Sequence, residues 1–160
     1  MEINGKISSD YAVLDHLNSI YNWIPNQHMI RPNQEIIEKK NNDLHNILTF
    51  YRSFSDYLYD VIFDFKTILN AEGKLQIKDE IFFKKQFIPN KYPYKVPDNT
   101  YHYILWYTDN NFINEEIINK DIRHELDLFF KGSKYEYVWY ENPKKTIQDI
   151  YHIQVFFIKK

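Results

Sequence analysis

The sequence predicts an α+β fold in which N-terminal helices pack on a mainly antiparallel C-terminal sheet. Three observations lead there. Apolar residues recur three and four apart as far as about residue 69, the spacing of one helix face. Pro89, Pro93 and Pro97 then interrupt that pattern and impose an extended path. Beyond them, stretches of alternating aromatic and β-branched residues surround a single amphipathic helix.

The elements follow in order. Ser9 or Asp10 can cap a helix carrying Val13, Leu14, Leu17, Ile20 and Tyr21, which stops before Pro25. Pro32-Asn33 opens a second helix with Ile36, Ile37, Leu44, Ile47, Leu48 and Tyr51 on its stripe. Ser55-Asp56 begins a third, with Leu58, Ile62 and Phe65 aligned, and Asn70-Ala71-Glu72-Gly73 reads as its C-terminal turn. Residues 74–88 fit strand and helix equally. Residues 101–107 read as a strand, with Tyr101, Tyr103, Leu105 and Tyr107 on one face and His102, Ile104 and Trp106 on the other. Asn114 can cap a helix running to about Phe130, with Ile118, Ile122, Leu126 and Phe129 as its buried stripe and Gly132 as its stop. Residues 135–141 form a second strand that Asn142-Pro143 breaks, and residues 151–158 a third, with His152, Gln154, Phe156 and Ile158 on one face. Helices are expected on one side of this sheet. With 160 residues the chain is the size of one domain, a mainly helical part at 1–73 and a strand–helix–strand–strand part at 88–160 that carries the candidate site.

Composition narrows the function classes. The 44% hydrophobic and 26% charged content is ordinary for a globular chain. Lysine far outnumbers arginine, and Asn, Ile, Tyr and Phe are abundant, the bias that AT-rich codons give. The aromatic excess therefore reads as codon drift rather than as a stacking surface. A net charge of -2 and the lack of any long basic run argue against nucleic acid as a partner. No apolar run approaches the ~20 residues that span a bilayer, and residues 1–10 are polar, so no membrane and a cytoplasmic location are expected. The absence of cysteine excludes disulfides, thiol catalysis and Cys-based zinc. Only three glycines occur, so phosphate-cradling glycine loops are excluded and no cofactor is expected. His16, His28, His45 and His124 lie at unrelated spacings, and Leu128 stands where an H-E-x-x-H helix needs its second histidine, so no metal is expected.

Two segments carry a resemblance. Ile88-Pro89-Asn90-Lys91-Tyr92-Pro93-Tyr94-Lys95-Val96-Pro97, followed by His102-Tyr103-Ile104-Leu105-Trp106, resembles the N-acetylglucosamine-induced protein family of fungi. That family has viral relatives and no known function, and its pattern is N-D-F-P-Y, an acidic stretch, then H-x-x-x-W. The ending is similar too. Trp139-Tyr140-Glu141-Asn142-Pro143 matches an aromatic pair followed by x-N-P, and residues 146–156 match S-x-x-x-x-x-H-x-H-V-F. Arg31 and residues 51–58 resemble its N-terminal arginine and its Y-G-S-x-x-D-Y-I stretch. Lys91 replaces the usual Asp and Gln154 the second His. The viral relatives would place the protein in a host cytoplasm.

The layout of Asn, Pro-Tyr, His and strand, then Asn-Pro and His-x-x-Val, more distantly resembles the histidine-triad proteins, in which strand histidines meet the phosphate of a nucleotide conjugate. In one register the resemblance makes His152 the nucleophile and Gln154 a donor to a phosphoryl oxygen. In the other, His152 is the first histidine and Gln154 stands where the nucleophile belongs, a role an amide cannot fill. Both registers are open at this level.

His102 and His152 are the catalytic candidates, because an imidazole with a reference pKa of ~6.5 can exchange protons, contact phosphate or attack phosphorus near neutrality. The plain alternative for each is a core histidine bonded locally. Gln154, Asn142, Arg31, Lys144, Tyr94 and Trp106 complete the candidate ligand set. Asn142 is a turn residue or a polar group beside the His152 strand, Lys144 an anion attractor, Tyr94 a packed loop residue or pocket lip, and Trp106 core or stacking platform. Arg31 is one of only three arginines, and its bidentate fork suits a phosphate or carboxylate. If the two histidine strands pair at matching heights, Cβ atoms ~5 Å apart would let both rings grip one phosphate. The expected function is binding of a nucleotide sugar or another phosphorylated small molecule, with hydrolysis or nucleotidyl transfer as the enzymatic form. The alternative is a non-catalytic interaction or accessory protein, which would bury or separate the histidines and expose apolar surface instead.

Overall fold

The computed structural model describes residues 34–92, 99–141 and 150–160. Helix α1 (Gln34–Phe50) starts right after the Pro32-Asn33 signal, and its half-buried positions, Ile36, Lys40, Asp43, Leu44 and Ile47, follow one helix stripe. Helix α2 (Phe54–Val61) is capped by Ser53, whose hydroxyl accepts from the Asp56 N–H at 3.1 Å. The buried Asp56 carboxylate then takes Arg52 Nε at 3.0 Å, the Ser53 hydroxyl at 2.6 Å and the Ile77 N–H at 2.9 Å. One side chain thus fastens α2 to the segment that follows it.

That segment is a hairpin, β1 (Thr67–Leu69) and β2 (Leu75–Ile77), rather than a longer helix. The sequence Asn70-Ala71-Glu72-Gly73 is its turn, not a helix C-terminus. Asn70 Oδ1 accepts from Glu72 N and Lys74 N, each at 2.9 Å, and Gly73 takes the left-handed conformation at φ 78°. A turn built from Asn and Gly serves either role, so composition alone does not separate them. Phe65 lies beyond α2 but still reaches the core.

The main sheet has the order β3 (Lys85–Pro89), β4 (Thr100–Tyr107), β6 (Tyr151–Lys159), β5 (Tyr135–Tyr140), all neighbours antiparallel. The three expected strands share this sheet. Edge strand β3 emerges from residues that fitted helix and strand equally. Helix α3 (Glu115–Phe129) links β4 to β5, and its cap Asn114 accepts from Ile117 N at 2.9 Å. Ile118, Ile122 and Leu126 are fully buried on the odd-numbered face of the central strands, against Leu105, Tyr107, Ile153, Val155 and Phe157. Phe129, expected in that stripe, is 39% exposed and meets the Tyr101 ring at 5.1 Å. Asn119 locks α3 to β5 by accepting from the Tyr137 hydroxyl at 2.8 Å and from Trp139 Nε1 at 3.0 Å.

Cover is not confined to that side. On the even-numbered face, Ile104 and Trp106 form a second core with Leu58, Phe63, Phe65 and Ile150, so α2 and the chain after it pack opposite α3. Burial on each face explains why β4 and β6 are apolar along most of their length. The helix expected at residues 10–21 lies outside the described residues.

Candidate functional site

The alternation read from the sequence puts His102, Ile104 and Trp106 of β4 on one face with His152, Gln154 and Phe156 of β6, and the strand register confirms it. The register also fixes their heights. His102 stands opposite Phe156, Ile104 opposite Gln154, and Trp106 opposite His152. The histidines are therefore four residue steps out of line, about 13 Å along the strands. Matching heights and a single phosphate held between both rings are excluded by this offset. Each ring instead stacks on the residue across from it, His102 on Phe156 with centroids 4.2 Å apart and His152 on Trp106 at 4.6 Å.

The nearest polar partner of His102 is Gln154. Its Nε2 lies 2.5 Å from Gln154 Oε1, one strand across and one pleat along. A carbonyl oxygen only accepts, so Nε2 carries the proton and donates. From the other side comes Asn90, just past β3, whose backbone N–H donates to the His102 carbonyl at 2.9 Å. Asn90 Nδ2 lies 3.2 Å from His102 Nε2 and 3.4 Å from Gln154 Oε1. With Nε2 protonated, the amide donates to Gln154. Asn90 Oδ1 accepts from Tyr92 N at 2.8 Å. Two strands and the residue just past a third thus contribute one side chain each to an amide–imidazole–amide network in which His102 and Gln154 are buried and Asn90 is half-buried.

Burial, outweighing the hydrogen bond to Gln154, pushes the His102 pKa down to about 4. His102 is accordingly a neutral donor near pH 7, not a cation and not a base poised for catalysis. His152 differs. Its Nδ1 lies 2.9 Å from the Ile150 carbonyl, which selects the tautomer with the proton on Nδ1 and the lone pair on Nε2. That tautomer suits a nucleophile or a general base. Beside it, Trp106 Nε1 is buried with no acceptor among the described residues. Leaving such a donor unsatisfied costs about 1–3 kcal/mol, which an incoming acceptor would recover.

Of the expected site residues, the structure gathers His102, Gln154, His152 and Trp106 on one sheet face, each 4–6% exposed. Arg31, Tyr94, Asn142 and Lys144 lie outside the described residues. Trp106 belongs to the second core and stacks on His152 at the same time. Asn90 was missed as a site residue although it falls inside the family-like segment. Its role depends on β3 pairing with β4, and the sequence left that strand ambiguous. Among the described residues, no group of three or more His, Asp or Glu side chains is placed to hold a metal, and no helix is long and apolar enough to cross a membrane. Comparisons with family models, with curated proteins and with solved structures find no match for the chain.

Proposed function

We propose that this protein binds a phosphorylated small molecule of the nucleotide-sugar class on the even-numbered face of β4 and β6. The observation that carries this reading is the network of Asn90, His102 and Gln154, uncharged hydrogen-bonding groups that converge from β4, β6 and the end of β3 at the margin of an otherwise apolar layer. Buried polar networks are costly to assemble, and amides around a neutral imidazole match the hydroxyl and amide groups of a sugar. Binding is the primary activity in this reading. If a bond is cleaved or transferred, His152 carries the step through Nε2, because the Nε2 of His102 is committed as the donor to Gln154. A thermal-shift titration with nucleotide sugars, nucleotides and sugar phosphates tests it. A ligand at 100 times its dissociation constant adds ~2.7 kcal/mol of stability. No shift with any of these at millimolar concentration would sink the reading.

The alternative, an interaction or accessory protein, draws on a different observation. Phe82, Phe83 and Phe112 are 60%, 54% and 86% exposed, in segments brought together by the Thr108 hydroxyl, which donates to the Phe82 carbonyl at 3.0 Å. The histidines are also buried and well separated, as such a protein would have them. Sedimentation analysis separates the readings. Concentration-dependent association that Phe112→Ser abolishes, without any ligand shift, would favour the surface over the site.

A further inference from the structure

Three lysines gather around one aromatic ring next to the Asn90 network. Lys39 and Lys40 are adjacent on α1, and Lys91 follows Asn90. Their Nζ atoms stand 5.8, 5.8 and 5.7 Å from the centroid of the Tyr92 ring. The Tyr92 hydroxyl donates to Asp43 Oδ2 at 2.8 Å, and the same oxygen receives Lys39 Nζ at 2.9 Å and Lys91 Nζ at 3.6 Å. Two ammonium groups therefore share one carboxylate, and partial burial lowers the pKa of Lys40 beside them.

Three other cations are held differently. Arg52 is matched to Asp56 and Lys85 to Asp121, while Lys84 donates to the Phe63 carbonyl at 2.7 Å between the rings of Phe65 and Phe82. Only around Tyr92, among the described residues, do ammonium groups crowd on a shared counter-ion. Crowded like charges are unfavourable, and an added anion relieves them. Asn90 joins this cluster to the buried network. Its Oδ1 holds Tyr92 N, and its Nδ2 points at Gln154 Oε1.

We propose that Lys39, Lys40 and Lys91 form a subsite for the diphosphate of a small ligand, with the Tyr92 ring as its floor. The proposal rests on the reading above and supplies its anionic half. Asn90, His102 and Gln154 take the uncharged end, and the lysines take the phosphates. Lysine fits this work because each ammonium is a mobile point charge with three donors that can follow phosphate oxygens. Asp43 keeps the ammonium groups gathered before the ligand arrives, which reduces the cost of ordering them on binding.

The test is isothermal titration of the full chain with inorganic pyrophosphate, run beside a nucleoside diphosphate sugar and a single-stranded oligonucleotide. Lys39 and Lys91 side chains are 60% and 55% exposed, so K39Q and K91Q should fold, while Lys40 is half-buried and circular dichroism must show that the triple K39Q/K40Q/K91Q keeps the fold. Pyrophosphate is expected to bind wild type, to bind more weakly as salt rises, and to lose about tenfold or more in affinity in the triple variant. Failure of pyrophosphate to bind wild type, or equal binding to the triple variant, overturns the subsite. A nucleotide sugar that binds wild type and triple variant equally leaves the sugar reading standing and removes the lysines from it. Lysine-dependent pyrophosphate binding with no binding of nucleotide sugars supports the subsite and ends the sugar reading instead. Lysine-dependent binding of the oligonucleotide far tighter than pyrophosphate overturns the small-ligand assignment.

Discussion

His102 should make the folded protein acid-sensitive through a single proton. The perturbation is His102→Gln, which keeps an N–H donor for Gln154 but cannot titrate. The ring is 6% exposed, and burial takes its pKa from the ordinary 6.5 to about 4. Between those values the unfolded chain binds a proton that the folded chain refuses, so unfolding gains as pH falls. The stabilisation is fully present above about pH 6.5 and is lost on descending through about pH 4. At ~1.4 kcal/mol per unit the whole effect is about 3 kcal/mol. Urea unfolding of wild type and variant, from about pH 7 to about pH 4, isolates it, because every other titrating group is common to the two proteins. Wild type is expected to lose about 3 kcal/mol more than the variant across that window. Parallel stability curves would refute the reasoning, as would a histidine resonance assigned to His102 that titrates near pH 6.5.

Two further outcomes test the polar interior. Gln154→Met keeps the side chain's volume while removing the acceptor for His102 Nε2, and should cost about 1–3 kcal/mol at neutral pH with the strands still paired, read from urea midpoints and amide exchange in β4 and β6. Asp56→Ala removes the partner of Arg52, Ser53 and Ile77 N, and should cost about 2–4 kcal/mol with loss of amide protection concentrated at Ile77, whereas an evenly spread loss would contradict a local clasp.

Local periodicity made most of the central architecture legible. The strands around His102, Val138 and His152 and the helix carrying Ile118, Ile122 and Leu126 are written in spacings that only a packed sheet and a covering helix satisfy. The clear errors fall where a short signal serves two structures. Asn70 and Gly73 suit a hairpin turn as well as a helix end, and which one forms depends on whether residues 75–77 find a strand partner in residues 67–69. Cover on the second face was equally hidden. Leu58, Phe63 and Phe65 reach Ile104 and Trp106 from a helix and a loop, and no single period links them.

The site divides along the same line. Which face a strand residue occupies is a period-two property of its own segment, so His102, Trp106, His152 and Gln154 could be assigned to common faces from sequence. Height along the sheet belongs to the pairing of two segments fifty residues apart, and nothing within either segment encodes it. The register then decides the chemistry. Had the histidines met at one height, each would have faced the other's charge, and an anion between them would have been the natural occupant. With His102 opposite Phe156, its neighbours are an aromatic ring and two amides, its proton stays on Nε2, and its charge is suppressed. A neutral donor discriminates poorly in favour of phosphate, since it offers one hydrogen bond and no Coulomb attraction. In the proposed ligand arrangement, positive charge must therefore come from elsewhere, and the closest crowded cations on the described chain are those that Asn90 links to His102 through Tyr92. Asn90 is thus the residue on which the two halves of the proposed site depend. Replacing it with Ala should weaken binding of a whole nucleotide sugar more than binding of inorganic pyrophosphate, because only the former needs both ends held in register.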